Sequence, residues 1–239
     1  MIPLYSLYTP SHRVLKERFF CPTVPPDLEL RLEYFENEGE GRFMDPSWRH
    51  AVIRKVEVII DAIENHPGRV FVWSDVDAQF FAPVSEWVEP ALADCDIAFQ
   101  IDAPGPALCN GFFFCRGTES TLRLWQRTLE CLLSPQNAGD DQVLIRRFVH
   151  DTPGLRWGLL PIAFCGGGTL RAHCWNPGDE LAIPANAVMH HANWTIGVAN
   201  KIAMCELVRE KLANGETVPA GEAEAIVRGD ASRGQLAPA

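Results

Sequence analysis

The chain has 239 residues, of which 21 are Lys or Arg and 31 are Asp or Glu, so its formal net charge is −10. This acidic balance argues against a nucleic-acid partner, because a phosphate backbone carries the same sign of charge. The hydrophobic fraction of 47% is ordinary for a globular protein, and no apolar stretch approaches the roughly 20 residues of a membrane span.

The N-terminal elements are a strand, a turn and a helix. Ile2–Tyr8 is predicted as the first strand, and Ser11 as the N-cap of a helix over His12–Phe20. Many α/β folds bind a nucleotide where a strand leads into a helix, although an ordinary strand–helix connection is equally compatible with this segment. No basic region precedes the strand, so we expect no signal peptide and a cytoplasmic location.

A long helix and a buried strand lead to a pair of carboxylates. Pro46–Glu64 has helical apolar spacing, and its Lys55 is either solvated or near the following crevice. Val70–Trp73 is an apolar run typical of a strand covered on both faces. Asp75 and Asp77 follow it; residues two apart in extended backbone point the same way, and a divalent cation relieves their repulsion. The simpler alternative is a strand-ending turn with two solvated acids.

Further polar residues follow two later elements. Asn110 and Gly111 open an apolar strand, where glycine permits close backbone approach. Asp140, Asp141 and Gln142 open a helix, and capping alone explains one of the two carboxylates. Two adjacent acids followed by Gln exceed what a cap requires.

A late strand, predicted over Ala187–His190, ends in a pair of histidines. A lone His after a strand is usually structural, but here His190 and His191 are followed by Asn, then by Gly197 and Lys201. This set indicates a metal and phosphate site.

The eight cysteines are scattered, and no two form a Cys-x-x-Cys pair. Several lie in apolar runs, such as Cys115 after three phenylalanines. The distribution predicts buried thiols in a reducing compartment rather than disulfides or a structural zinc site.

In this order, the landmarks resemble the nucleotide-diphospho-sugar transferases of the GT-A type, and most closely glycosyltransferase family 77. The resemblance covers about Ile2 to Leu212. It implies an α/β fold: a single GT-A-like (Rossmann-like) domain over 1–212, whose mixed, mostly parallel central sheet is flanked by helices. Residues 213–239 lack apolar periodicity and are predicted to be a mobile tail.

The resemblance implies a metal-dependent hexosyl- or pentosyltransferase that uses a nucleotide sugar and retains the anomeric configuration. A UDP-sugar is the expected donor. The acceptor, a glycan, protein or small molecule, stays open. Asp75 and Asp77 would be the DxD motif that binds Mn²⁺ or Mg²⁺, with His190 or His191 as third ligand. His191 is preferred because the Asn-Trp after it is closer to the family's His-Asn-x-x-Gly spacing.

The resemblance also assigns contacts to the nucleotide. Tyr8 and Thr9 would lie beside the nucleobase, and Lys55 near the donor phosphates or the first aspartate. Gly197 and Lys201 would contact the diphosphate.

For the donor sugar, the resemblance implies a pocket lined by Asn110 and Gly111. Asp141 and Gln142 would lie against the sugar near its anomeric carbon, as the catalytic residues. One departure is the Trp73-Ser74 lead-in to the first aspartate, where the family usually has an aliphatic residue.

Two alternatives compete with this interpretation. A phosphatase of the haloacid-dehalogenase type also has Asp-x-Asp after an apolar strand. Two residues after the second Asp, however, it normally has Thr or Val, where this chain has Gln79, and the strand that carries its nucleophile is usually near the N-terminus. The second alternative is a GT-A-like module that binds nucleotides without catalysis.

Overall fold

A six-stranded sheet and a smaller three-stranded sheet form the framework of the protein in a computed structural model. The structure describes residues 1–37, 39, 46–102, 107–134, 140–166 and 174–228. The larger sheet contains β1 (Ile2–Tyr8), β2 (Leu28–Tyr34), β3 (Val70–Ser74), β5 (Ile97–Asp102), β6 (Ala107–Arg116) and β7 (Trp157–Leu159). The smaller sheet contains β4 (Ala78–Phe80), β8 (Phe164–Gly166) and β9 (Met189–His191). The helices are α1 (Arg13–Leu15), α2 (Pro46–Asn65), α3 (Ser85–Ala91), α4 (Glu119–Leu133), α5 (Asp141–Asp151), α6 (Val198–Asn214) and α7 (Ala220–Arg228).

The strand order of the large sheet is β2-β1-β3-β6-β5-β7. β1 is parallel to both β2 and β3, and β5 is parallel to β7. Only β6 runs against its two neighbours, β3 and β5. The sheet is therefore mixed and mostly parallel, which confirms the predicted α/β architecture.

β3 is an interior strand of this sheet and is buried on both faces, with Phe71 and Trp73 in one apolar cluster and Val72 in another. On the first face, the ring centroid of Phe113 of the neighbouring β6 lies 6.5 Å from that of Trp73 and 5.2 Å from that of Trp125 on α4. All three side chains are almost fully buried. β3 ends just before Asp75, so this carboxylate stands at the carboxyl end of an interior strand, where α/β sheets hold their ligands.

The smaller sheet brings distant parts of the chain to the end of β3. β4 begins directly after Asp77 and pairs antiparallel with β9, with Ala78 opposite His191. The backbone N–H of Ala192 donates to the carbonyl of Asp77 over 2.9 Å. Three-residue strands are too short to show alternation, so the sequence predicted β9 but not the sheet it joins.

The prediction of one continuous helix over His12–Phe20, capped by Ser11, is wrong. A 3₁₀ turn, Pro10–His12, precedes α1, and Lys16–Phe20 is a five-residue π-helix. Ser11 lies inside the 3₁₀ turn and does not cap a helix; its hydroxyl lies 2.9 Å from Nδ1 of His12 instead. Pro10 starts the turn because its missing N–H costs nothing at a helix start.

All eight cysteines lie in the described part of the chain and are free thiols, five of them buried. In the predicted tail, α7 forms and buries Ala223, with Ile162 in the same small apolar cluster. Its alanines and glutamates favour a helix. Residues 229–239 lie outside the described residues, and both the boundary at 212 and the tail's mobility stay predictions.

Across the described ranges, no helix combines the length and apolar character needed to cross a membrane. The predicted cytoplasmic location is not tested by this and stays a prediction.

Candidate active site

A cleft of about 600 Å³ opens at the carboxyl ends of β1 and β3 and beside the start of β6. Every predicted site residue except His190 lines it: Tyr8, Thr9, Lys55, Asp75, Asp77, Asn110, Gly111, Asp141, Gln142, His191, Gly197 and Lys201. The fold thus gathers into one space residues that the sequence separates by almost the whole chain.

Asp75 is held at the rim of the cleft by two donors. Nζ of Lys55 lies 2.9 and 3.0 Å from its two carboxylate oxygens, and the indole N–H of Trp73 donates to Oδ1 over 2.9 Å. The Trp73 lead-in, unusual for the family, therefore has a role in positioning this carboxylate. Burial disfavours the charge of Lys55, but Asp75 and Asp141 raise its pKa above the ordinary value.

Asp77 lies deeper, between two cations. Its side chain accepts from Nζ of Lys201, and Oδ1 lies 3.2 Å from Nε2 of His191. Burial alone would raise the pKa of Asp77, but Lys201 and His191 hold it well below its usual range. In turn, burial would lower the pKa of His191, yet Asp77 raises it to about 10. Each of the two predicted metal carboxylates is thus compensated by its own lysine.

Three of these side chains could hold a metal ion. One ligand atom each from Asp75, Asp77 and His191 lies within 4.8 Å of the others. Nδ1 of His191 donates to Oε1 of Gln100 over 3.0 Å, which fixes the ring and leaves Nε2 toward Asp77.

His190, the alternative third ligand, lies outside this cluster and outside the cleft. Successive residues of β9 point to opposite faces, so the ring of His190 is buried away from His191. Neither of its nitrogens has a hydrogen-bond partner among the described residues. Burial, followed by the neighbouring His191, lowers the pKa of His190 to about 3, so it is neutral.

The two carboxylates at the start of α5 have different environments. Asp140 is the N-cap, and its Oδ1 accepts from the N–H of Val143 over 2.7 Å. Asp141 is buried instead: Nδ2 of Asn110 donates to its Oδ2 over 2.7 Å, and Nζ of Lys55 lies 3.5 Å away. The capping alternative therefore applies to Asp140 and leaves Asp141 without a capping role.

Gly111 lets the His191 ring approach the backbone of β6. A Cβ at this position would lie 2.1 Å from Cε1 of the ring. The carbonyl of Gly111 also accepts from the N–H of Asp75 over 2.7 Å. The residue predicted to line the sugar pocket thus also sets the distance between the DxD segment and His191.

Gly111→Ala is expected to displace the His191 ring, because the added methyl group overlaps it. Overpacking of this kind costs about 1–3 kcal/mol of unfolding free energy. The substitution also moves one of the three candidate metal ligands. We therefore expect metal-enhanced nucleotide binding to weaken at least about tenfold, which corresponds to a loss of about 1.4 kcal/mol of binding free energy. Calorimetric titration with UDP and Mn²⁺ measures it. Gly158→Ala in β7 is the control, because its Cβ would meet only Cys95 Sγ at 3.4 Å; equal affinity in both variants would refute this role.

A further buried carboxylate, Asp102 at the end of β5, was not predicted. Its oxygens accept from the side chains of Gln142, over 3.0 Å, and Arg146 on α5, and from Asn193 and Trp194 after β9. Burial raises the pKa of Asp102, and Trp194 and Arg146 oppose that effect. The network ties Gln142 to the opposite wall of the cleft. A carboxylate directly after an apolar strand was the signal available in the sequence.

The sequence of the chain also matches a known protein family. Residues 23–204, more than half of the chain, match the family model described as nucleotide-diphospho-sugar transferase. The chain belongs to the nucleotide-diphospho-sugar transferases. As a member of this family it is a glycosyltransferase, which favours the transfer reaction over the haloacid-dehalogenase alternative. The narrower resemblance to glycosyltransferase family 77 stays a prediction.

One solved glycosyltransferase structure shares the fold of this transferase, and two others are less similar. A glycosyltransferase involved in the glycosylation of the major capsid of PBCV-1 has a TM-score of 0.55 at 13% identity, over 87% of this chain and 98% of that one. Apo GlyE of Streptococcus pneumoniae TIGR4 has 0.49 at 8%, over 91% and 64%. Apo mouse xyloside xylosyltransferase 1 has 0.44 at 10%, over 80% and 97%. At 13% identity the first likeness shows the fold alone. No curated protein sequence matches the chain.

Proposed function

We propose that this transferase is metal-dependent, takes its sugar from a UDP-sugar and retains the anomeric configuration. The observation that carries the proposal is the convergence of Asp75, Asp77 and His191, whose ligand atoms lie within 4.8 Å of one another in the cleft. Two carboxylates and one imidazole suit Mn²⁺ or Mg²⁺ better than a soft metal. When bound, such a cation supplies positive charge to the leaving diphosphate.

The protein's own residues fit this role. In the structure Lys201 neutralises Asp77, and its Nζ also donates to the carbonyl of Ala192 over 3.1 Å. Once Asp77 is used as a metal ligand, Lys201 is free to pair with a phosphate. The imidazole of His191 must then be neutral, and its Nδ1–H bond to Gln100 keeps Nε2 directed at the site.

The N-terminus of α6 adds a second anion-binding feature. Gly197, at its N-cap, lines the cleft with φ 88°, a left-handed value that suits glycine. It has no side chain to cap the first turn, so the N–H groups there remain available to a ligand. Lys201 lies one turn into the same helix, and the two features together would bind the diphosphate.

In the proposed reaction the bond from the anomeric carbon to the diphosphate oxygen breaks, and its electron pair leaves with the nucleoside diphosphate. The acceptor oxygen bonds to that carbon, and its hydroxyl proton passes to the departing phosphate. Asp141, held by Asn110 and Lys55, would stabilise positive charge on the sugar. Gln142, held by Asp102, would contact the sugar beside it.

The nucleobase would lie at the other end of the cleft, beside Tyr8 and Thr9. The Tyr8 ring is fixed by Nζ of Lys16, 4.3 Å from its centroid, and by Tyr34, with centroids 5.2 Å apart. Thr9, Ser11 and His12 form a hydroxyl–imidazole cluster on the same wall, with the Thr9 and Ser11 oxygens 3.0 Å apart.

A thermal-shift panel tests this proposal. UDP, GDP and CMP are each added with Mn²⁺, with Mg²⁺, or with EDTA. Ligand at 100 times its Kd adds about 2.7 kcal/mol, which is roughly 5–10 °C for a protein of this size. We expect that shift for UDP with metal and little shift with EDTA. A shift of the same size with EDTA would refute metal dependence, and a larger shift with GDP would refute UDP as the nucleotide.

A further inference from the structure

Two large apolar side chains are exposed at the cleft. Among the described residues, the exposed large hydrophobic side chains are Met1, Val14, Tyr34, Leu133, Val143 and Ile196. Of these, Val143 and Ile196 line the cleft, each 56% exposed, although they come from α5 and from the loop before α6. The donor's diphosphate is anionic, and its nucleobase is proposed to lie at the other end of the cleft, beside Tyr8 and Thr9. The donor therefore gives no reason for apolar groups here, and two of them in one ligand cleft fit contact with a second molecule.

Trp194, close to Ile196 in the chain, also lines the cleft in a constrained conformation. Its φ is 51°, the one positive value at a non-glycine position in the described chain. Its indole N–H donates to Asp102, which also holds Gln142 and Arg146 on the Val143 side. Such backbone strain persists only where the surroundings fix it. The two apolar walls are therefore tied to one buried carboxylate and are held in place before any ligand binds.

We propose that Val143, Trp194 and Ile196, named here the mouth surface, form the acceptor subsite, and that the acceptor carries its hydroxyl beside an apolar face, as an alkyl or aryl glycoside does. The inference rests on the proposed function. An acceptor hydroxyl has to reach the sugar beside Asp141 and Gln142, and the mouth surface lines the same cleft as these two residues. An acceptor bound in the cleft can therefore contact the mouth surface, and apolar contact there stabilises it.

Charge supports a neutral acceptor over an anionic one. The cation on this side of the cleft, Arg146, is engaged by Asp102 and by the carbonyl of Leu108, at 3.1 Å. Lys201 is engaged by Asp77 and is assigned to the donor. The mouth surface itself is uncharged: Val143 and Ile196 are aliphatic, and Trp194 offers an indole for stacking.

The test compares p-nitrophenyl glycosides with the same free monosaccharides as acceptors, and measures both sugar transfer and donor hydrolysis. The readout is the ratio of kcat/KM for the aryl glycoside to that for the free sugar, within each variant. This ratio cancels differences in folding and in donor chemistry. The variants are Val143→Ser and Ile196→Ser. Leu133→Ser is the matched control, because Leu133 is 60% exposed but does not line the cleft.

We expect the wild type to prefer the aryl glycosides, and the ratio to fall about tenfold in each mouth variant, in line with the loss of one buried aliphatic side chain. Leu133→Ser should leave it unchanged. Equal use of both acceptor types, or transfer to neither while the donor is hydrolysed, would overturn the acceptor subsite. An enzyme that cleaves no UDP-sugar would instead overturn the proposed function.

Discussion

Asp77→Asn is expected to lower the rate of UDP-sugar cleavage by about three orders of magnitude. Electrostatic stabilisation of a leaving group is typically worth several kcal/mol in the transition state, and each 1.36 kcal/mol is a factor of ten. The substitution keeps the size of the side chain but removes the charge that would bind a cation beside His191. Metal-enhanced UDP binding, measured by calorimetry with and without Mn²⁺, should be lost as well.

A structural role of Asp77 has to be separated from this effect. The carboxylate is buried between Lys201 and His191, and breaking a buried ion pair can cost about 3–5 kcal/mol of stability. Urea unfolding of the same sample therefore gives the folded fraction by which the rate is corrected. Asp61→Asn is the control, since Asp61 is exposed on α2 and does not line the cleft. A folded Asp77→Asn protein with wild-type metal-enhanced binding would exclude the metal role.

The second large effect is expected for Asp141→Asn. The side chain keeps its shape and loses its charge, so kcat should fall by about two or more orders of magnitude while the donor Kd changes only a few-fold. This is the pattern of an interaction made mainly in the transition state. Gln142→Ala should cost less, because it removes a dipole and not a full charge.

Asp140 provides the matched control, because it caps α5 and Asp141 does not. Asp140→Ala should lower the unfolding free energy by about 0.5–2 kcal/mol and change turnover of the folded fraction far less than Asp141→Asn. Melting temperature and single-turnover rate are measured on the same samples. An Asp141→Asn protein that is destabilised but fully active would show that the carboxylate serves the structure alone.

Much of the fold could be predicted because its signals are local. The strand-like run Ile2–Tyr8 and the long apolar stripe of α2 define their elements almost to the residue. Asp75 directly follows a buried strand, and its location in the cleft could be predicted because ligands bind at the carboxyl ends of strands. Lys201 could be placed near the metal pair only through the resemblance, since 124 residues separate it from Asp77.

Other parts of the site depend on contacts between residues far apart in the chain, which no local sequence pattern indicates. The smaller sheet consists of three-residue strands, and alternation along it places the ring of His191, not that of His190, next to Asp77. The donors to Asp102 come from α5 and from the segment after β9, between 40 and 92 residues away. The left-handed conformation of Trp194 has no sequence signal either. The sequence accordingly predicted the residues that line the cleft better than the contacts that hold its walls.

The central claim is that cleavage of a nucleotide sugar depends on a cation at Asp75, Asp77 and His191. The most direct measurement is UDP release from a panel of UDP-sugars by the wild-type protein, first stripped with EDTA and then titrated with Mn²⁺ or Mg²⁺. We predict no release above background in EDTA and a saturable return of activity with added metal, absent in Asp77→Asn. Equal release in EDTA and in metal would contradict the claim.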